Sequence, residues 1–148
     1  MTQNNFMGTA LKQAEACVQR GEIPVGAVVV KGNQIVAQAG NRIVEFKDTT
    51  AHAEVLAIRA ASEIFGNERL NECDLYTTLE PCTMCAAAIS YARIRRLYYG
   101  AEDVKFGAVD NGVRFYHAQS CHHRPEVYGG ICATQAAALL KTFFRARR

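Results

Sequence analysis

The chain has no second C-x-x-C pair, no acidic residue after Glu126, no bilayer-length apolar run, no repeat and no low-complexity tract. Each absence removes a class of explanation. A spanning helix needs about 20 consecutive apolar residues, so none is expected. The opening MTQNNFMGTALKQ lacks the basic lead and apolar block of a secretory signal, which favours the cytosol. In a reducing compartment six cysteines read as metal ligands or buried thiols rather than disulfides. With no linker, the 148 residues are expected to form a single domain, 1–148, with a sizeable core.

The missing acids at the end make the charge lopsided. Net charge is +3, but the last segment carries Lys141, Arg145, Arg147 and Arg148 unopposed. The first 126 residues hold 13 basic and 14 acidic side chains and so net about −1. A basic tail suits the negative pole of a helix end, and it equally suits phosphate contacts. A second cluster is Arg93, Arg95 and Arg96 in ARIRRLYYG.

Met7, Ala10, Leu11, Ala14, Cys17 and Val18 recur at helical spacing over residues 5–19. Two β-branched runs, 25–30 and 34–39, flank Lys31-Gly32-Asn33 and predict a hairpin. Residues 41–49 read as irregular. Thr50 is placed to cap a helix that ends at Gly66. Residues 73–80 and 95–101 read as strands, 82–91 as a helix, 102–126 as loop, and a last helix begins near Thr134. Alternating strands and helices after the hairpin predict an α/β fold: three layers, α/β/α, around a mixed sheet of about five strands with helices on both faces.

Within that frame, PCTMC places Cys82 and Cys85 at a helix start, the shape of half a metal site. A structural zinc ribbon requires a second pair, and the remaining cysteines are isolated. TAHAEVLAIRAA instead offers His52 at another helix start, with Glu54 two residues on. One histidine and two cysteines leave a tetrahedral zinc one open position, the catalytic pattern. Two thiolates neutralise the ion, so it acidifies water less than a zinc on three imidazoles. Such a site gains from a neighbouring base, and Glu54, about 200° round the helix from His52, is better placed as neighbour than as ligand. H-x-E alone, or C-x-x-C alone, is weak; together, with Pro81 ahead of Cys82, they are specific.

H-A-E followed by P-C-x-x-C resembles the signature of the zinc-dependent cytidine/nucleoside deaminase superfamily. IPVGAVVV, GNR, TAHAEVLAIR, LYTTLEPCTMCAAAI, ARIRRLYYGAEDVKFGA and FFRARR resemble, more closely, the bacterial tRNA-specific adenosine deaminases, from about Ala10 to Arg148 and least in 109–126. The resemblance implies a cytidine deaminase-like fold and one zinc per subunit on His52, Cys82 and Cys85. It implies hydrolytic deamination of adenosine 34 of a tRNA anticodon to inosine, with Glu54 moving the protons. It also implies that Asn41 hydrogen-bonds the target base, that the backbone around Ala53 and the Leu79-Glu80-Pro81 segment wall the pocket, and that Asp103 lies near the substrate backbone.

For the tail, the resemblance implies RNA contact by Phe143, Phe144, Arg145, Arg147 and Arg148, with one phenylalanine in the core at helical spacing from Leu139 and Leu140. The family forms homodimers, which gives the Arg93/Arg95/Arg96 cluster an alternative place at a subunit interface. Cys121-His122-His123 are adjacent and so poorly disposed to converge on a second ion; that loop is kept as a candidate RNA contact. The alternative substrate class is a free base or nucleoside, and the third reading is a non-catalytic zinc-stabilised RNA-binding module, against which Glu54 argues.

Overall fold

The computed structural model describes residues 3–147. Arg148 therefore lies outside the described residues. The elements are α1 (Gln3–Gln19), β1 (Gly26–Lys31), β2 (Gln34–Gly40), α2 (Ile43–Phe46), α3 (Ala53–Phe65), β3 (Cys73–Leu79), α4 (Thr83–Tyr91), β4 (Arg96–Ala101), β5 (Glu126–Tyr128) and α5 (Ala133–Arg145), with a 3-10 turn at Phe115–His117. The strands form one five-stranded sheet in the order β2-β1-β3-β4-β5. β1 pairs antiparallel with β2 and β3, while β3–β4 and β4–β5 are parallel. This is the expected mixed α/β sheet. None of the described helices is long and apolar enough to cross a membrane.

Period-two alternation divides the strands between two cores. Ala27, Val29, Leu75, Leu97 and Tyr99 join Ala53, Ala57 and Ala61 of α3 and Ala86 and Ile89 of α4 on one face. Val28, Val30, Tyr76 and Tyr98 meet Phe6, Met7 and Ala10 of α1 on the other, and α5 covers β4 on that side. Tyr76, Tyr98 and Tyr128 stack across three neighbouring strands at 4.4 and 5.2 Å. Gly26 has no side chain because α1 passes over it: a Cβ there would strike the carbonyl oxygen of Ala10 and lie 2.8 Å from the Ala14 nitrogen.

The region 41–49, read as irregular, contains α2. This single turn is held from a distance, since Val44 and Glu45 donate their backbone N–H groups to the buried Glu22 carboxylate at 3.1 and 2.9 Å. Nor does Thr50 cap α3. Its hydroxyl and N–H are both bound to Asp48 Oδ1, at 2.7 and 2.9 Å, and the N-cap position falls to His52. Gly66 ends α3 with φ 62°, as its position predicts. The arginine cluster is dispersed. Arg95 makes a two-pronged pair with Asp74 at 3.0 and 2.8 Å, Arg96 bonds Glu126 at 3.3 Å, and Arg93 takes a left-handed turn after α4.

Candidate active site

Two helix starts meet at the site. His52 is the N-cap of α3 and Cys82 the N-cap of α4, both with extended backbone. Neither side chain caps its own helix, so both are free to turn toward each other. Cys85 follows on the first turn of α4 and is fully buried. His52 Nδ1 lies 3.8 Å from Cys82 Sγ and 3.6 Å from Cys85 Sγ. These spacings are long for hydrogen bonds and right for a shared ion. With Zn–S about 2.3 Å and Zn–N about 2.0 Å at the tetrahedral angle, sulfur and nitrogen ligands lie about 3.5 Å apart. All three ligand atoms fall within 4.8 Å of one another, and among the described residues this is the one such group of three.

The chemistry of the donors fits a divalent cation. The Cys82 thiol is pulled down to about 4 by its hydrogen bond to Cys85 and by His52, despite its burial. Cys85 is pushed up, first by the same bond and then by burial. Cys82 is therefore the more readily ionised of the two sulfurs, and thiolates are the form that binds a metal ion.

Glu54 sits beside this group on the first turn of α3 and is 4% exposed. Burial pushes its carboxyl up to about 7. A carboxyl near neutrality can both accept and return a proton. The site forms the floor of a cavity of about 820 Å³, within the usual range of roughly 300–1,000 Å³ for small-molecule pockets. Asn41, His52, Glu54 and Cys82 line its depth, and Asp103, Phe106 and Phe144 line its mouth.

Asn41 is brought to the cavity, but with less freedom than expected. Its Oδ1 accepts the Ala53 N–H at 2.8 Å, and its Nδ2 donates to the Ile23 carbonyl at 3.1 Å. One N–H remains for a ligand, while the side-chain oxygen is already engaged. Ala53 and Pro81 are both buried and neither lines the cavity, whose wall there is formed by Leu79 and Glu80; Pro81 accepts the Ala108 N–H at 2.9 Å. Asp103 does not pair with the Lys105 ammonium; its Oδ1 accepts the N–H groups of Lys105 and Phe106 at 3.1 and 3.0 Å. Phe143 is the buried member of the phenylalanine pair, and Phe144 is 47% exposed at the cavity mouth. Arg147 lays its guanidinium 3.7 Å from the Phe143 ring centre, and Arg145 is exposed. The Cys121-His122-His123 loop ties itself to α4 instead of gathering around an ion: Ser90 Oγ and Cys121 Sγ both donate to the His123 carbonyl, at 2.6 and 3.1 Å.

Sequence reasoning assigned no role to Glu80 beyond the pocket wall. Glu80 is 2% exposed, yet its carboxylate accepts five hydrogen bonds. Burial opposes its ionisation, but these donors outweigh burial and hold its carboxyl below the usual glutamate value. The signal available in the sequence was an acid between a strand and a proline-led cysteine pair, which does not by itself distinguish anchor from surface.

The MafB19-like deaminase family matches residues 1–148. A tRNA-specific adenosine deaminase of Agrobacterium fabrum is 54% identical over 146 residues, covering 99% of this chain and 96% of the relative. A solved tRNA:A34 deaminase, studied for A-to-I editing at the wobble position, superposes with a TM-score of 0.92 at 54% identity, over 93% of this chain and 100% of that one. A guanine deaminase of Bacillus subtilis superposes with a TM-score of 0.67 at 34% identity, over 80% of this chain and 87% of its own. The chain belongs to the tRNA-specific adenosine deaminase family.

Proposed function

We propose that this chain is a hydrolase that deaminates adenosine 34 of a tRNA anticodon to inosine, with one zinc per subunit on His52, Cys82 and Cys85. The observation that carries the reading is the convergence of those three ligands beside a buried, near-neutral Glu54 at the floor of an open cavity. Water replaces the C6 amino group of adenine and ammonia leaves. Zinc, when bound, supplies the positive charge that eases ionisation of the attacking water. Glu54 takes one proton from that water and passes it to ring N1, where it stays in inosine, then carries the remaining hydroxyl proton to the departing nitrogen, which leaves as ammonia. The free N–H of Asn41 is directed at an acceptor on the base edge, and the wall formed by Leu79 and Glu80 holds the base against the ligands.

The cavity continues outward to Asp103, Phe106 and Phe144, beyond what one base requires. Exposed rings with cations nearby suit splayed nucleotides, whose bases stack on side chains while phosphates are neutralised. Lys105 holds its ammonium 5.2 Å from the centre of the Phe106 ring. Replacing Arg145, Arg147 and Arg148 by alanine is expected to weaken binding of an anticodon stem-loop and to lower the salt slope by about 0.7 for each phosphate no longer neutralised. Unchanged affinity and slope across a salt titration reduce the tail to a solvated helix end.

We read the chain as one cytoplasmic deaminase domain that pairs as a homodimer. Val44 and Phe46, 68% and 51% exposed on the single turn of α2, are apolar side chains that a subunit partner would cover. A monomer mass in sedimentation at micromolar concentration contradicts the pairing. A second reading, a free-base deaminase, draws support from the guanine deaminase likeness. Incubation with an A34 stem-loop, free adenosine, guanine and cytosine in parallel separates the two. Inosine is expected from the stem-loop, and turnover of any free substrate as fast as the stem-loop overturns the RNA reading.

A further inference from the structure

We infer that Glu80 is the positioning residue that presents the 103–111 loop to the RNA beside the target adenosine, and that residue 107 is glycine to make room for the Glu80 carboxylate and the Asp103 carbonyl together. The inference rests on the deaminase reading above.

A buried carboxylate is costly unless it is fully bonded. Here both oxygens are saturated. Oε1 accepts the Asp103 N–H at 3.0 Å and the Asn111 side-chain amide at 2.7 Å. Oε2 accepts three successive backbone N–H groups, from Val109, Asp110 and Asn111, at 3.1, 2.9 and 3.1 Å. Consecutive amides turned onto one oxygen form a backbone nest for an anion. No salt bridge to Glu80 occurs among the described residues, so backbone and amide dipoles alone offset its charge. Committed to five donors, Glu80 is unsuited to proton transfer. Its bonds reach both ends of one loop, at 103 and at 109–111, and draw the chain between them into shape.

Gly107 lies inside that loop, against the carboxylate. A Cβ at residue 107 would stand 2.4 Å from the Asp103 carbonyl oxygen, 2.5 Å from Glu80 Cδ and 2.6 Å from Oε2. Its φ is not in the left-handed region, so the requirement is for space and not for backbone freedom. The loop so fixed carries Asp103 and the strongly exposed Val104 and Phe106, which border the cavity that ends at Glu54 and the metal ligands. Apolar side chains held out into solvent by a rigid loop form a ledge for an unstacked base. Other contacts, such as Ala108 N–H to the Pro81 carbonyl at 2.9 Å, join the loop to the cysteine segment. One other bond joins its two ends, from Asn111 Nδ2 to the exposed Glu102 Oε1 at 2.9 Å, whereas Glu80 holds both ends from the buried side.

The test compares Glu80→Ala, Glu80→Asp and Gly107→Ala with the wild type. Zinc content, amide exchange, and kcat and KM on an A34 stem-loop are measured for each. The expected result for Glu80→Ala and Gly107→Ala is faster exchange at 103–111 with α4 still protected, zinc content intact, and KM raised about tenfold with kcat within about twofold. Glu80→Asp, which keeps the charge on a shorter arm, is expected to recover part of the KM. Exchange at 103–111 equal to wild type, or a fall in kcat with KM unmoved, overturns the inference. If Glu80→Ala fails to fold, Glu80→Asp decides: exchange at 103–111 equal to wild type with KM unmoved overturns the inference. Exchange needs no substrate, so it still decides the anchor if the wild type makes no inosine, an outcome that would count against the deaminase reading instead.

Discussion

Glu54→Gln is expected to reduce inosine formation on an A34 stem-loop by about a thousandfold or more, with zinc content and stem-loop affinity unchanged. General acid–base groups contribute about 10²–10⁴ to rate, and Glu54 is asked to act at more than one proton transfer. The substitution preserves volume and hydrogen-bonding reach, and removes only the ability to hold and release a proton. A purely structural role for Glu54 predicts a different pattern. Glu54 is buried at 4% exposure, and burial disfavours its charged form. Replacing it with a neutral amide therefore spares the fold a desolvation cost, and the melting temperature should stay within a few degrees of wild type. Single-turnover ammonia release measures the effect directly, and a rate equal to wild type removes Glu54 from the mechanism.

Losing a metal ligand should be as damaging to activity and more so to stability. Cys82→Ala is the cleaner choice, because Cys82 is partly exposed while Cys85 is fully buried and its loss would also open a cavity. The variant is expected to retain little zinc by elemental analysis and to show no measurable inosine. An ion that binds the folded chain alone stabilises it by about 4 kcal/mol at a thousandfold excess over its dissociation constant. For a chain of this length that is a melting-temperature loss on the order of 10 °C. Wild-type protein stripped by a chelator should show the same loss and recover on adding zinc, whereas the variant should not recover. Stripped protein that keeps its full activity would refute a metal-dependent reaction.

The convergent trio His52, Cys82 and Cys85 was readable because its parts are short, local and chemically unusual: a histidine at one helix start and two cysteines three apart at another. What the letters alone do not display is held together by backbone. The α2 turn is invisible to periodicity because it spans four residues, and its N–H partners belong to Glu22, some twenty residues earlier. β5 is three residues long, too short for alternation to show, and it forms by parallel pairing to β4. Thr50 had the right side chain for a cap, but the neighbouring Asp48 engages it first. Glu80 is the strongest case, since four of its five donors are main-chain N–H groups, which every non-proline residue carries. The helices, the hairpin and the central strands were legible because their apolar spacing is long enough to count. The tail was legible in part: helical spacing required one buried phenylalanine, and packing selects Phe143 over Phe144.

The tyrosine stack across β3, β4 and β5 gives the molecule an optical signature. The chain contains no tryptophan, so its near-ultraviolet circular dichroism comes chiefly from six tyrosines and seven phenylalanines. Three of those tyrosines lie in one ordered column, with the Tyr76 and Tyr98 rings inclined by only 4°. The column stands on the face of the sheet opposite α3 and α4, away from the metal ligands. Its signal therefore follows the packing of α1 on the sheet and is insulated from events in the cavity, where a purine adds absorbance of its own.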